Sequence, residues 1–421
     1  MRFEFPYDDV APVDVPESNL CGVFATPAAA EEMDPAALTA AAVAEPIGTP
    51  ALRDLAADKK RVLIVSDDVS RPTPVHALLP PILAALHDAG ITDDSIEFMM
   101  ALGTHRPMRT DEMEQKLGPD IVAQFTVRNH DWDNPDACTM IGETAQGVKV
   151  WINRKVAEAD LVIGIGRIMP IDICGFTGGG KILVPGVCGK TTNDDMHWTR
   201  IDLNDSDIIG KRDNAVRESI DELARKAGLD FIVNVVMDSH QHVTQVVAGD
   251  LTEAHRKGCE LAVEMHGVRI PEKADIVIAD SYPFDIEFWQ ANKALDQAGL
   301  VVKEGGVLIL VTPCTEGFSA THSEILEFGY PPIDEIKDLV KQGRIPSKVV
   351  GVHMAQVSHV ARHKAHVILV TSGIPRRDVE EAGLGYAETP QAALEEAFAR
   401  AGSDAGVIVL KGAAEMLPVV G

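Results

Sequence analysis

The chain has 421 residues, enough for two domains that each bury a full core. Its 38 basic and 64 acidic residues leave a formal charge of −26, spread along the chain rather than gathered in a tail, which makes nucleic acid and anionic membranes poor partners. No apolar run approaches the roughly 20 residues that span a bilayer, and Met1-Arg2-Phe3-Glu4-Phe5-Pro6 lacks the apolar core of a signal peptide, so the expected compartment is the cytoplasm.

The first sixty residues read as an edge hairpin, which includes Cys21-Gly22-Val23-Phe24, and a covering helix in the alanine-rich run from Pro35 to Ala44; no chemistry is evident in them. Arg61-Val62-Leu63-Ile64-Val65 is a continuous apolar run of the kind buried on both faces in a parallel sheet. It stops at Asp68-Val69-Ser70-Arg71-Pro72-Thr73-Pro74, where two prolines force a loop, and a helix follows from about His76 to Asp88. Ser95 to Leu102 is a second strand, ending in Gly103-Thr104-His105-Arg106-Pro107, after which Thr110 is placed to cap a helix through Leu117. Two weaker strands near Phe125 and Val148 precede the apolar strand Asp160 to Gly166, which leads to Gly175-Phe176-Thr177-Gly178-Gly179-Gly180-Lys181.

A charged helix is expected from Asn204 to Gly228, a strand from Phe231 to Met237 and a helix from Leu251 to His266. Val268-Arg269-Ile270-Pro271-Glu272 is polar and proline-bearing, and sets the expected domains at 1–270 and 271–421, with the last residues free to pack back on the first. The second unit opens with a strand from Ala274 to Ala279 and continues with a helix that starts near Phe288 and carries Gln290 and Lys293 on one face. Later strands fall at Gly306 to Val311, Val367 to Val370 and Gly406 to Leu410. The fold class is therefore α/β: two domains built on mainly parallel sheets with helices on both faces and an active site in the interdomain cleft.

Chemistry in such sheets gathers beyond the carboxyl ends of the strands, and three successive strands bring Asp68 and Arg71, His105, and Lys181 to that edge. Glycine at 175, 178, 179 and 180 leaves a backbone that can lie against a ligand while Lys181 reaches into the same space. Gly175-x-x-x-x-Gly180-Lys181 meets most of the pattern of a phosphate-binding loop. Ile182 stands where that loop needs a hydroxyl for magnesium, and Pro185-Gly186 breaks the helix that should follow. The six cysteines form no CxxC pair; Cys174 and Cys188 flank the glycines and read best as small buried thiols, with ligation as the alternative.

The motifs around Asp68, His105 and Gly175 to Lys181 with Pro185-Gly186, together with His197 and Gln290-x-x-Lys293, resemble the nickel-dependent lactate racemase family, in order and in approximate spacing, from about residue 60 to the C-terminus. The resemblance implies a racemase or epimerase of a small 2-hydroxy acid, with a nickel-pincer nucleotide tethered covalently to Lys181 and with His197 as the remaining nickel ligand. It implies cofactor-binding roles for Asp68, Gly178, Gly179 and Gly180, substrate contacts at Arg71, Gln290 and Lys293, and partner enzymes that make the cofactor. Hydrogen would leave the substrate as hydride to the cofactor while a histidine takes the hydroxyl proton; His105 matches that histidine, and a pKa of ~6.5 suits the task.

One position departs from the family pattern. A second histidine is expected ten residues before the lysine, and the chain has Ile171 there with Asp172 beside it. Asp172 is the candidate replacement, pairing of Asp172 with Arg167 or a backbone amide is the alternative, and a cofactor-binding protein without turnover is the competing reading of the whole.

Overall fold

A computed structural model describes residues 1–28, 33–144, 147–203 and 205–421. Asn204, the expected start of the charged helix, lies outside the described residues. The chain divides into two compact units: a Lys181 unit, Ala28–Arg200 with Ile208–Met265, and a Lys293 unit, Met1–Pro27 with Ile201–Asp207 and His266–Gly421.

The Lys181 unit is built on a six-stranded sheet. Its order is Val243–Gly249, Leu229–Met237, Leu161–Arg167, Val62–Asp67, Ile96–Ala101 and Thr126–Asn129. Only Val243–Gly249 runs antiparallel to its neighbour. Alternation of side chains sends Val62 and Ile64 to one face, with Leu161, Ile163 and the helix Val75–Asp88, and sends Leu63 and Val65 to the other, with Val162 and the helix Ala215–Ala227. Both faces are thus covered, which is why these strands read as unbroken apolar runs. The helix Ala215–Ala227 starts at Asn214, whose side chain accepts from the Arg217 amide at 2.9 Å, and stops at Gly228, whose φ of 93° a side chain would resist.

From Val62–Asp67 the chain winds outward through Ile96–Ala101 and Thr126–Asn129, then returns to lay Leu161–Arg167 on the opposite side of the first strand. That reversal makes a switch point beside Val62–Asp67, where the loops after neighbouring strands diverge and leave a crevice.

The Lys293 unit repeats the plan with a parallel sheet in the order Gly385–Ala387, Ala365–Val370, Val302–Val311, Ala274–Asp280, Val407–Lys411 and Leu20–Ala25. Its switch point lies beside Ala274–Asp280, and the helix Phe288–Gly299 follows directly from that strand.

Three details correct the sequence reading. Residues 1–27 group with the Lys293 unit rather than with residues 28–265, because Leu20–Ala25 pairs in parallel with Val407–Lys411. The last strand, Leu417–Val420, pairs with Gly267–Ile270, the stretch read as a boundary loop. Thr110 is the first helical residue and not the cap: the Arg109 amide before it donates to Glu112 Oε2 at 2.8 Å. No helix among the described residues is long and apolar enough to cross a membrane.

Candidate active site

The loop after Val62–Asp67 turns sharply, with the Arg71 amide donating to the Asp68 carbonyl at 3.1 Å. It is pinned from below by Lys116, whose Nζ lies 2.7 Å from Asp67 Oδ1 and donates to the Arg71 carbonyl at 2.8 Å. Thr73 Oγ1 adds a bond of 2.6 Å to Asp67 Oδ2. These contacts hold Asp68 buried beneath His105, whose Nδ1 sits 2.5 Å from Asp68 Oδ2. Ser70 donates to the other oxygen, Asp68 Oδ1, from its amide at 3.1 Å and from its hydroxyl at 2.5 Å, and Arg71 Nη1 donates to Ser70 Oγ at 2.9 Å. Burial by itself would push the Asp68 carboxyl up; the charge and hydrogen bond of His105, with Arg71 and Ser70, outweigh it and hold the group well below the usual carboxylate range. Asp68 is therefore an ionised acceptor that fixes the ring of His105. Trp132 Nε1 donates to the His105 carbonyl at 3.0 Å and fixes the backbone of the same loop.

The glycine stretch does not fold as a phosphate-binding loop. Between Leu161–Arg167 and Lys181 the chain makes a short antiparallel pair, Pro170–Ile171 with Gly175–Phe176, and Lys181 lies in a single 3-10 turn, Gly179–Ile182, rather than at the start of an α-helix. The glycines are explained by the protein's own packing. A side chain at Gly178, which has φ +77°, would lie 2.7 Å from Ile168 Cγ1; one at Gly179 would lie 2.8 Å from the ring of His255; one at Gly180 would lie 2.9 Å from Ala224 Cβ. The Gly179 amide donates to Asn234 Oδ1 at 2.8 Å. Close packing at Gly178, Gly179 and Gly180 thus requires glycine whatever the backbone also faces. Arg217, buried in the helix Ala215–Ala227, donates to the carbonyls of Phe176 and, at 3.2 Å, of Gly178. Sequence reasoning missed it, since an arginine three residues after a helix cap normally faces water.

Lys181 is half-buried and its amine is desolvated, which lowers its pKa; Cys174 and Asp172 oppose that shift, while Arg71 and Arg217 reinforce it. His197, on the helix Lys190–Trp198, donates through Nδ1 to the Asn193 carbonyl at 2.8 Å, because a carbonyl only accepts; Nδ1 therefore carries the proton and Nε2 the lone pair. Its pKa is pushed down to about 4 by burial, with the electrostatic effects of Lys181 and His105 acting in the same direction. These mutual influences place Asp68, Arg71, His105, Asp172, Lys181 and His197 in one electrostatic neighbourhood. Asp172 is buried, and its carbonyl accepts from Arg200 Nε at 2.9 Å. Arg167, the alternative partner for Asp172, donates through Nη1 to Gln241 Oε1 at 3.2 Å. Ile171 is 5 % exposed and packed in the core, so nothing at the position of the missing histidine can carry a proton. Cys174 and Cys188 are free, buried thiols.

In the Lys293 unit, the helix Phe288–Gly299 buries Gln290 and Lys293 together. Lys293 Nζ donates to Gln290 Oε1 and lies 4.7 Å from the centre of the Phe284 ring. Beside them Trp289 is held between His353 and His322, with ring centres 4.3 Å away on each side. The His353 pKa is pushed down to about 3 by burial, then by His322 and Lys293. Neither histidine was legible in the sequence, because each arrives from a separate segment with no motif around it.

Residues 8–207 match the family model described as the lactate racemase N-terminal domain, and residues 270–417 match the lactate racemase C-terminal domain. A lactate racemase of Thermoanaerobacterium thermosaccharolyticum is 32% identical over 324 residues, 75% of this chain and 75% of that protein. One of Lactiplantibacillus plantarum is 29% identical over 423 residues, 97% of this chain and 98% of that protein. The solved lactate racemase apoprotein from T. thermosaccharolyticum superposes with a TM-score of 0.88 at 28% identity and full coverage of both chains. A Thermotoga maritima protein of the same fold gives 0.73 at 24% identity, covering 93% of this chain and 100% of its own.

Proposed function

Because the chain belongs to the lactate racemase family and is on that ground an isomerase, we propose that it racemises or epimerises a small 2-hydroxy acid, with lactate as the first substrate to test. The observation that carries this reading is the Asp68–His105 pair, held at 2.5 Å in the same electrostatic neighbourhood as Lys181 and His197. Asp68 keeps the proton on Nδ1 and leaves Nε2 as the base that takes the hydroxyl proton of the substrate and later returns it.

The donor set suits a nickel-pincer nucleotide. His197 has its lone pair on Nε2 and a ring held by the Asn193 carbonyl, which is how imidazole ligands are commonly oriented for a metal. Lys181 has an amine whose lowered pKa favours the neutral, nucleophilic form needed for a covalent tether. When bound, the cofactor supplies the hydride acceptor that makes a weakly acidic C–H bond breakable; separate enzymes would have to synthesise it. Arg71 is assigned to anion recognition, and Gln290 and Lys293 to carboxylate and hydroxyl contacts, a task that charged and amide donors perform. A charge-assisted contact is worth roughly 1.5–3 kcal/mol. Lys293→Met is accordingly expected to lower kcat/KM on the true substrate by roughly 10- to 150-fold. Unchanged kinetics would remove Lys293 from the site.

Asp172 is proposed as the second proton-transfer group. It is buried, and its charge acts on Lys181. Racemisation should fall on the order of 10²-fold or more in Asp172→Asn. A native rate in that variant would mean that His105 works without it. The competing reading, a cofactor-binding protein without turnover, is favoured by the apolar burial of Ile171. Interconversion of the lactate enantiomers by cofactor-loaded protein separates the two: a loaded chain with no turnover on a panel of 2-hydroxy acids would decide for binding alone.

A further inference from the structure

The antiparallel edge of the Lys181 sheet carries a feature that plays no part in the proposed racemase chemistry. Between Leu229–Met237 and Val243–Gly249 the chain turns through Asp238-Ser239-His240-Gln241-His242. The turn is closed by two backbone bonds, from the Asp238 amide to the His242 carbonyl and from the Gln241 amide to the Asp238 carbonyl, both 3.0 Å, with Gln241 in the left-handed region at φ +66°. Asp238 is 0 % exposed, and its Oδ1 accepts the amides of His240 and His242 at 2.9 Å each. Oδ2 lies 3.7 Å from His242 Nδ1, too long for a hydrogen bond, and the rings of His240 and His242 are perpendicular, with centres 5.9 Å apart, rather than stacked. One ligand atom from each of Asp238, His240 and His242 falls within 4.8 Å of the others, the only such group of metal-ligating side chains among the described residues.

We infer that this turn is a second metal site, distinct from the one assigned to His197, which binds a borderline divalent cation such as zinc or cobalt through Asp238, His240 and His242 with water completing the shell. Two imidazoles and a carboxylate are the ligand types of such ions, whereas magnesium and calcium prefer oxygen alone. Two ligands at about 2.0–2.1 Å from one tetrahedral ion stand roughly 3.3 Å apart, and the three ligand atoms here, within 4.8 Å of one another and with Asp238 Oδ2 3.7 Å from His242 Nδ1, would have to draw together on binding. The carboxylate is the fixed member, oriented by two amides, and the histidines are the mobile ones. Arg167 Nη1 donates to Gln241 Oε1 within the turn at 3.2 Å.

The test uses full-length His197→Ala protein made without cofactor-synthesis enzymes, so that the ligand assigned to nickel is silent. Titration with zinc by calorimetry, and with cobalt by visible absorption, should give one equivalent, and the cobalt spectrum should show imidazole coordination. His240→Ala and His242→Ala should each weaken binding at least 10-fold, the scale on which losing a partner lowers metal affinity. His240 is exposed, so its removal leaves the fold intact, and circular dichroism checks this. No binding by the parent protein, or equal binding by the parent and the His240→Ala/His242→Ala double variant, would overturn the inference.

Discussion

Lys181→Ala, produced alongside the cofactor-synthesis enzymes, is expected to lose both the mass increment of the native chain and all measurable racemase activity. The expectation rests on three observations at one position. The amine is desolvated, which favours the uncharged nucleophile; it acts electrostatically on His197, which places the two side chains close together; and the backbone that presents it is locked by Arg217, Asn234 and His255. Truncation removes a desolvated amine that feels the positive charges of Arg71 and Arg217, so thermal stability should hold while the modification disappears. Lys181→Arg, which keeps the charge and loses the amine, should fail in the same way. Intact mass and nickel content decide the matter: an unmodified lysine in nickel-loaded, active enzyme would end the assignment.

His105→Asn is expected to lower kcat by on the order of 10²–10⁴-fold with cofactor loading unchanged, the range for loss of a general base. Asp68→Asn should lower it as well while leaving the imidazole in place, because the ring loses the acceptor that fixes its orientation and stabilises its charged form. The pair also predicts a signature in stability. Asp68 is held well below its ordinary pKa in the folded chain, so its ionised form stabilises the fold above the usual carboxyl range, and that contribution is lost as pH falls toward the depressed value. Unfolding curves of the native chain and Asp68→Asn should therefore converge in acid and separate toward neutrality. Unaltered kcat in His105→Asn would move the proton chemistry to another group.

The parallel sheets were legible in the sequence because strands covered on both faces have no choice but to be apolar throughout, as Val62 to Val65 and Leu161 to Ile165 are. The strand-end rule also brought Asp68 and His105 to one sheet edge, where the two side chains meet. What stayed hidden was whatever depends on a partner distant in the chain. Leu20–Ala25 alternates between half-buried and exposed residues, as an edge strand does, and nothing in it names Val407–Lys411 as its neighbour. The close packing that makes glycine necessary at 178, 179 and 180 had no local sign either, because the residues a side chain there would meet, Ile168, His255 and Ala224, come from three other segments. Asp68 was seen as a site residue, but its bond to His105 spans 37 positions and has no local sign.

The fastening of the glycine stretch bears on how the chain would be assembled in a cell. The bonds from Arg217 to Phe176 and Gly178, from Asn234 to Gly179, and from His255 to Thr177 all run between groups that the ribosome supplies. The socket that presents Lys181 is thus fastened by groups the polypeptide itself carries. If Lys181 holds the proposed cofactor, synthesis of the protein and of the cofactor could be separate supply lines, with copies of the chain made ahead of nickel and activity set by delivery rather than by new translation.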